Sequence, residues 1–396
     1  MKPKARWRRR DLGYCTNVHA GEELAHVEAT VLDSLRAVAA ARELSSMAAG
    51  LWLSHAAVEA LSDAGARDRF RARLREAGVR LITLNAFPYG DFHAERVKES
   101  VFLPDWSDAR RLRYTLACAE VLAACLPDDA AEGTLSTLPL GLRAAWSEEK
   151  ENVAAGLLLA AVEQLDALAA ATGKPIRICL EMEPGGVLER ADQTIAFFDW
   201  LHSAARRAGV SPERVQRHLG VCYDVCHQAV MHADIATDIA RLAHADIAIG
   251  KIQLSCALEA RPGAHAALAD FAEPRYLHQV RVADGQALLG TPDLPAALAD
   301  SALPPDRPWR VHFHVPLHTD TYANAGVSGT HAELMQTFDA LAARPALTPH
   351  LEVETYTWSV LPPAMRPADH AALLRGIGAE LKWVETEMQR RALLRD

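Results

Sequence analysis

Residues 173–186 read GKPIRICLEMEPGG. Gly173-Lys174-Pro175 is a turn that ends a helix, IRICLEME (176–183) has the length and apolar content of a strand, and Pro184-Gly185-Gly186 closes it. In an extended chain Glu181 and Glu183 point to one face. Two carboxylates aimed inward from an apolar strand repel one another and lose hydration unless a cation neutralises them. A buried strand that delivers acids at its carboxyl end is the pattern of a parallel α/β barrel, whose reactive groups sit there.

The same pattern extends in both directions. Strand-like runs occur at 12–18 (LGYCTNV), 49–54 (AGLWLS), 79–87 (VRLITLNAF), 133–140 (GTLSTLPL), 219–225 (LGVCYDV), 248–256 (AIGKIQLSC), 309–317 (WRVHFHVPL) and 350–358 (HLEVETYTW). Helical patterns lie between them, around 21–43, 55–77, 107–126, 148–172, 189–208, 233–245, 331–343 and 367–392. Such alternation predicts parallel strands joined by crossover helices, hence a (β/α)8 TIM barrel forming one domain over residues 1–396. Nine runs are one too many for eight staves. The crowded region holds a Pro/Gly-rich insertion near 257–308, read as a lid or side excursion rather than a second domain.

Composition narrows the function. With 42 Lys+Arg against 51 Asp+Glu the net charge is -9, and no broad basic face is available to displace counterions from nucleic acid. The basic start, MKPKARWRRR within residues 1–11, is read as a solvated tail, because no apolar signal core follows it. No uninterrupted apolar run has the length of a membrane span, so the chain is not expected to be membrane-spanning. Seven cysteines without CxxC spacing form neither a disulfide framework nor a zinc knuckle, and reduced thiols point to a cytoplasmic protein. Cys222 and Cys226 flank Asp224, which leaves a minor soft-metal role conceivable.

The late strands concentrate acids and imidazoles. Asp224 and His227 end the run at 219–225; His312 and His314 share a face in VHFHV; Glu352 and Glu354 repeat the paired acids of Glu181 and Glu183. Each alone is more often an exposed edge or a satisfied core group. Together they suit a divalent ion such as Mn2+, Mg2+, Co2+ or Zn2+ bound by oxygen and imidazole. Early strands add Tyr14, Asn17, His19 and Asn85, and the segment from Phe87 through His93, Lys98 and Trp106 reads as a polar-aromatic pocket wall. Lys251 and Gln253 share a face with Ser255, where an inward lysine would steady a developing oxyanion or, equally, a strand-entrance lysine would face solvent.

The motifs LEMEP, YDVCH, VHFHV and LEVET resemble those of the xylose-isomerase-like barrel superfamily of sugar isomerases and epimerases. Longer collinear blocks between residues 13 and 358, among them GYCTNVHAGE, NAFPYGDFHAERVKESVFLPDW and GVCYDVCHQAV, resemble the EboE family, the metabolite-traffic proteins of the Ebo operon. The resemblance implies a metal set of Glu181, Asp224, His314 and Glu354. By chain order Gln253 is the rival third ligand, and His227 is a neighbouring substrate or metal histidine. It implies a metal-dependent isomerase or epimerase of a small polyhydroxylated or carbonyl metabolite. Glu181 and Glu354 then exchange the proton, His227 assists, and Asn17, His19, Asn85, Lys251, Gln253 and His312 hold the substrate. The alternative is a non-catalytic metabolite carrier working with other proteins of the Ebo operon.

Overall fold

The computed structural model describes residues 5–299, 302–322 and 326–395. Eight parallel strands make one sheet: β1 (Leu12–Tyr14), β2 (Met47–Trp52), β3 (Val79–Asn85), β4 (Gly133–Thr137), β5 (Ile176–Glu181), β6 (Leu219–Asp224), β7 (Ile249–Leu254) and β8 (His350–Val353). They pair in the order β1-β8-β7-β6-β5-β4-β3-β2, and a parallel bridge between Cys15 and Gly50 draws the two ends together into a nearly closed barrel. Nearly every strand residue is buried, as expected for staves covered on both sides.

Helices fill the crossovers close to where the apolar period places them, including Ala109–Cys125, Glu148–Thr172, Ala191–Ala208, His331–Ala343 and His370–Arg390. Their starts are capped in sequence-legible ways: Asp108, Ser147, Ser211 and Asp369 each accept a backbone N–H from the first turn. Gly173, at φ 70°, terminates Glu148–Thr172 in the left-handed conformation that glycine adopts without cost. That helix is long and apolar enough to cross a membrane by length and composition. Here it is one of the barrel's ring helices, with Ala154, Leu158, Ala161, Val162 and Leu165 buried.

The structure settles which run is surplus and corrects two expectations. WRVHFHVPL is the ninth run: Trp309–Val311 belongs to a second, antiparallel sheet and not to the barrel. The excursion after β7 is longer than 257–308, and its described part holds six strands ordered Ala287–Thr291, Val280–Asp284, Trp309–Val311, Leu258–Ala260, Val327–Gly329 and Thr321–Tyr322. Apart from Trp309–Val311, strands of two to five residues give little periodicity, so they read as loop. Nor are residues 5–11 a solvated tail, although 1–4 lie outside the described residues. Trp7–Arg8 pairs with Leu394–Arg395, Trp7 is buried, and the Arg6 guanidinium donates to the carbonyl oxygens of Arg344, Leu341 and Leu347.

Candidate metal centre

The carboxyl ends of β5, β6 and β8 bring three acids together. Glu181 ends β5, Asp224 ends β6 and caps the short helix Val225–Val230, and Glu354 follows β8. One carboxylate oxygen from each lies within 4.8 Å of the others, a spread that one ion with bonds of about 2.0 to 2.6 Å can bridge. The remaining bonds orient them. Asp224 Oδ1 accepts from Ser255 Oγ at 2.8 Å and from the His227 N–H at 3.1 Å, while Glu354 Oε1 accepts from Asn17 Nδ2 at 2.9 Å and Asn85 Nδ2 at 3.3 Å. Glu181 Oε2 and Asp224 Oδ2, both buried, have no hydrogen-bond partner.

Electrostatics agree that the cluster wants positive charge. Burial, then the facing acids, pushes the Glu181 and Glu354 carboxyls well above the ordinary range, and burial lifts Glu183 to about 8. Burial also opposes ionisation of Asp224, but the facing His227 and His314 rings and its two hydrogen bonds hold its pKa low.

Three imidazoles complete the floor. His227 Nδ1 is 3.0 Å from the Met182 carbonyl, His314 Nδ1 is 2.8 Å from the Glu354 carbonyl, and His312 Nδ1 is 2.6 Å from Gln279 Oε1. Carbonyl oxygens only accept, so each Nδ1 carries the hydrogen and each Nε2 presents its lone pair. Burial lowers the pKa of all three rings, that of His227 to about 4. His312 Nε2 lies 3.0 Å from His227 Nε2 and 3.2 Å from His314 Nε2, so lone pairs face lone pairs. A cation relieves that arrangement. The donor set therefore fits a divalent ion: Asp224, His227 and His314 also place one ligand atom each within 4.8 Å, as do Glu183, His227 and His312. Cys226 approaches His312 and His314 similarly, but burial holds its thiol protonated, which disfavours a thiolate ligand.

The expected residues separate into two groups. Asn17, Asn85, Lys98, Glu181, His227, His312, His314 and Glu354 all line one cavity at the barrel mouth, and Asp224 lies directly beneath. Three others do not line it. His19 Nε2 bonds to Tyr14 Oη at 2.8 Å and its ring packs toward His370. Gln253 accepts from the Cys222 thiol at 3.1 Å inside the barrel. Lys251 is neither an oxyanion group nor a solvent-facing lysine: its Nζ pairs with Glu352 at 2.6 Å and donates to Ser136 Oγ at 3.1 Å, with both charged side chains fully buried. Gly50 makes room for this pair, since a Cβ there would fall 1.6 Å from Glu352 Oε2. Sequence reasoning missed Gln279, Tyr276 and Leu277, which come from the excursion, and Tyr356; the excursion's read-out as loop hid the first three.

A xylose-isomerase-like TIM barrel protein from Mycobacterium smegmatis, solved in complex with magnesium, superposes with a TM-score of 0.52 at 13% identity, over 96% of this chain and 97% of that one. The chain has the xylose-isomerase-like TIM barrel fold. Two further structures align over similar lengths: a xylose isomerase domain protein from Planctomyces limnophilus (12% identity, 99% of each chain, TM-score 0.49) and a D-tagatose 3-epimerase-like protein (10%, 96% of this chain and 98% of that one, 0.49). No protein-family model matches the sequence, and comparison with curated proteins gives no match. Within the xylose-isomerase-like barrel the site described above occupies the carboxyl-terminal mouth, where barrel chemistry is placed.

Proposed function

We propose that the chain is a metal-dependent isomerase or epimerase of a small polyhydroxylated or carbonyl metabolite. The observation that carries this is the convergence of Glu181, Asp224 and Glu354, with two buried carboxylate oxygens left unpartnered. Glu181, Asp224, His314 and Glu354 would hold the ion. Magnesium in the Mycobacterium smegmatis structure supports a hard or borderline dication of the Mg2+, Mn2+, Co2+ or Zn2+ kind. When bound, such an ion supplies Lewis-acid polarisation of a carbonyl and its neighbouring hydroxyl.

The chain's own groups do the rest. Glu181 and Glu354 reach the cavity from β5 and β8, three strands apart round the barrel, so one can take a proton from a substrate carbon and the other can return it. Asn17 and Asn85 fix the Glu354 carboxylate, and His227 offers Nε2 to a substrate hydroxyl. His312, locked by Gln279, borders the same space. We assign the protein to the cytoplasm on its seven free, buried cysteines. On the resemblance of the quoted segments alone, we place the metabolite in an EboE-type secondary-metabolite transport pathway with Ebo-operon partners.

The test is solvent exchange. Protein loaded with Mn2+ or Mg2+ and incubated with aldoses and ketoses in D2O should place deuterium on the carbon next to the carbonyl, read by NMR. Tight metal and sugar binding without any exchange would overturn the enzyme reading in favour of a carrier.

A further inference from the structure

The cavity is built in two halves. Its floor is the acid and imidazole cluster on the barrel strand ends. Its walls come from long loops: Phe87, Pro88, Phe92, Val97 and Val101 after β3, and Tyr276 and Leu277 from the excursion. Phe92, Tyr276 and Tyr356 form a mutual aromatic group with ring centroids 5.0 to 5.5 Å apart, and Tyr356 stands 4.7 Å from the His314 ring. Apolar walls of this extent next to a charged floor suit a ligand with one polar and one apolar end.

Charge sharpens the point. Among the described residues, Lys98 is the one lysine or arginine lining the cavity, and it is spent. Its ammonium donates to the Tyr276 carbonyl at 2.6 Å, the Glu273 carbonyl at 3.2 Å and Asp293 Oδ2 at 2.7 Å, which accounts for all three protons. No fork of arginines or free ammonium is left for a phosphate.

We infer that the site takes an uncharged, unphosphorylated molecule bearing adjacent oxygens at one end and a ring-sized apolar group at the other. The inference rests on the metal-site reading above and adds the rest of the substrate to it. The adjacent oxygens lie over the floor, and the apolar group stacks among Phe92, Leu277 and Tyr356. A bare sugar would leave those walls wet, and a sugar phosphate would find no free lysine or arginine in the lining to receive it.

Calorimetric titration of the Mn2+-loaded protein with 1-phenylethane-1,2-diol, glycerol and glycerol 1-phosphate tests this. The phenyl diol should bind at least about tenfold tighter than glycerol, given the apolar area of one ring, and glycerol phosphate weakest of the three. Phe92→Ala and Leu277→Ala should each shrink the phenyl preference while metal content, measured in parallel, stays at one equivalent or more. Equal affinity for the two diols, or tightest binding of the phosphate, with metal in place, overturns the inference and leaves the metal site standing. Failure to take up metal at all overturns both.

Discussion

His314 Nε2 stands 3.8 Å from Asp224 Oδ2, although Asp224 ends a barrel strand and His314 follows a strand of the antiparallel excursion. The barrel's own candidate for that place, Gln253, bonds instead to Cys222. Imidazole is also the better donor to a first-row dication than a neutral amide oxygen. His314→Ala should therefore weaken metal binding about 100-fold or more, whereas Gln253→Ala should keep it. Metal content of both variants, with circular dichroism to check folding, decides the matter. Full metal in folded His314→Ala would sink the assignment.

Proton exchange should depend on Glu181. With saturating metal confirmed by elemental analysis, Glu181→Gln is expected to slow deuterium uptake into substrate by roughly 100- to 10,000-fold, the range general acid–base groups contribute. Uptake at the wild-type rate in the metal-loaded variant would show that another group moves the proton.

The Lys251–Glu352 pair is buried on both sides, so removing one partner strands a charge. Lys251→Met should cost about 3 to 5 kcal/mol in urea unfolding, and adding Glu352→Gln should restore most of it. A single variant within 1 kcal/mol of wild type, on the scale of an exposed pair, would mean the charges are not stabilising one another.

Glu380 provides a pH signature. It accepts from Thr355 Oγ1 at 2.6 Å, the Leu317 N–H at 3.0 Å and Trp358 Nε1 at 3.3 Å, yet burial outweighs these bonds and raises its pKa from 4.5 to about 7. Between those values the folded chain holds a proton that the unfolded chain has lost. Its contribution is full below pH 4.5 and is lost as pH rises to about 7, on the order of 3 kcal/mol. Glu380→Gln should flatten that part of the stability profile between pH 5 and 8. Superimposable slopes for variant and wild type would contradict it.

Sequence alone located the eight staves and the acids that end three of them, because buried strands and amphipathic helices carry different periods and because Glu181, Asp224 and Glu354 each precede a turn. It could not show which run leaves the barrel. VHFHV has the period of a strand wherever it lies, and only tertiary pairing puts Trp309–Val311 beside Leu258–Ala260. The direction of Lys251 stayed open in the sequence, and its partner was hidden: Glu352 reaches it through a space that a missing side chain at Gly50 opens. His19 was misplaced because a residue past a strand end can turn either way, and here Tyr14 claims its ring.

The contribution of His312 and His314 by the excursion has a kinetic meaning. An ion bound only by strand ends would leave at a rate set by bonds to a rigid scaffold. One that is also held by His314 would wait for the excursion to open, so its residence time would follow that local opening rather than the stability of the eight staves. Exchange of metal and unfolding of the whole chain then become separate clocks, and a change in the antiparallel sheet can quicken one without touching the other.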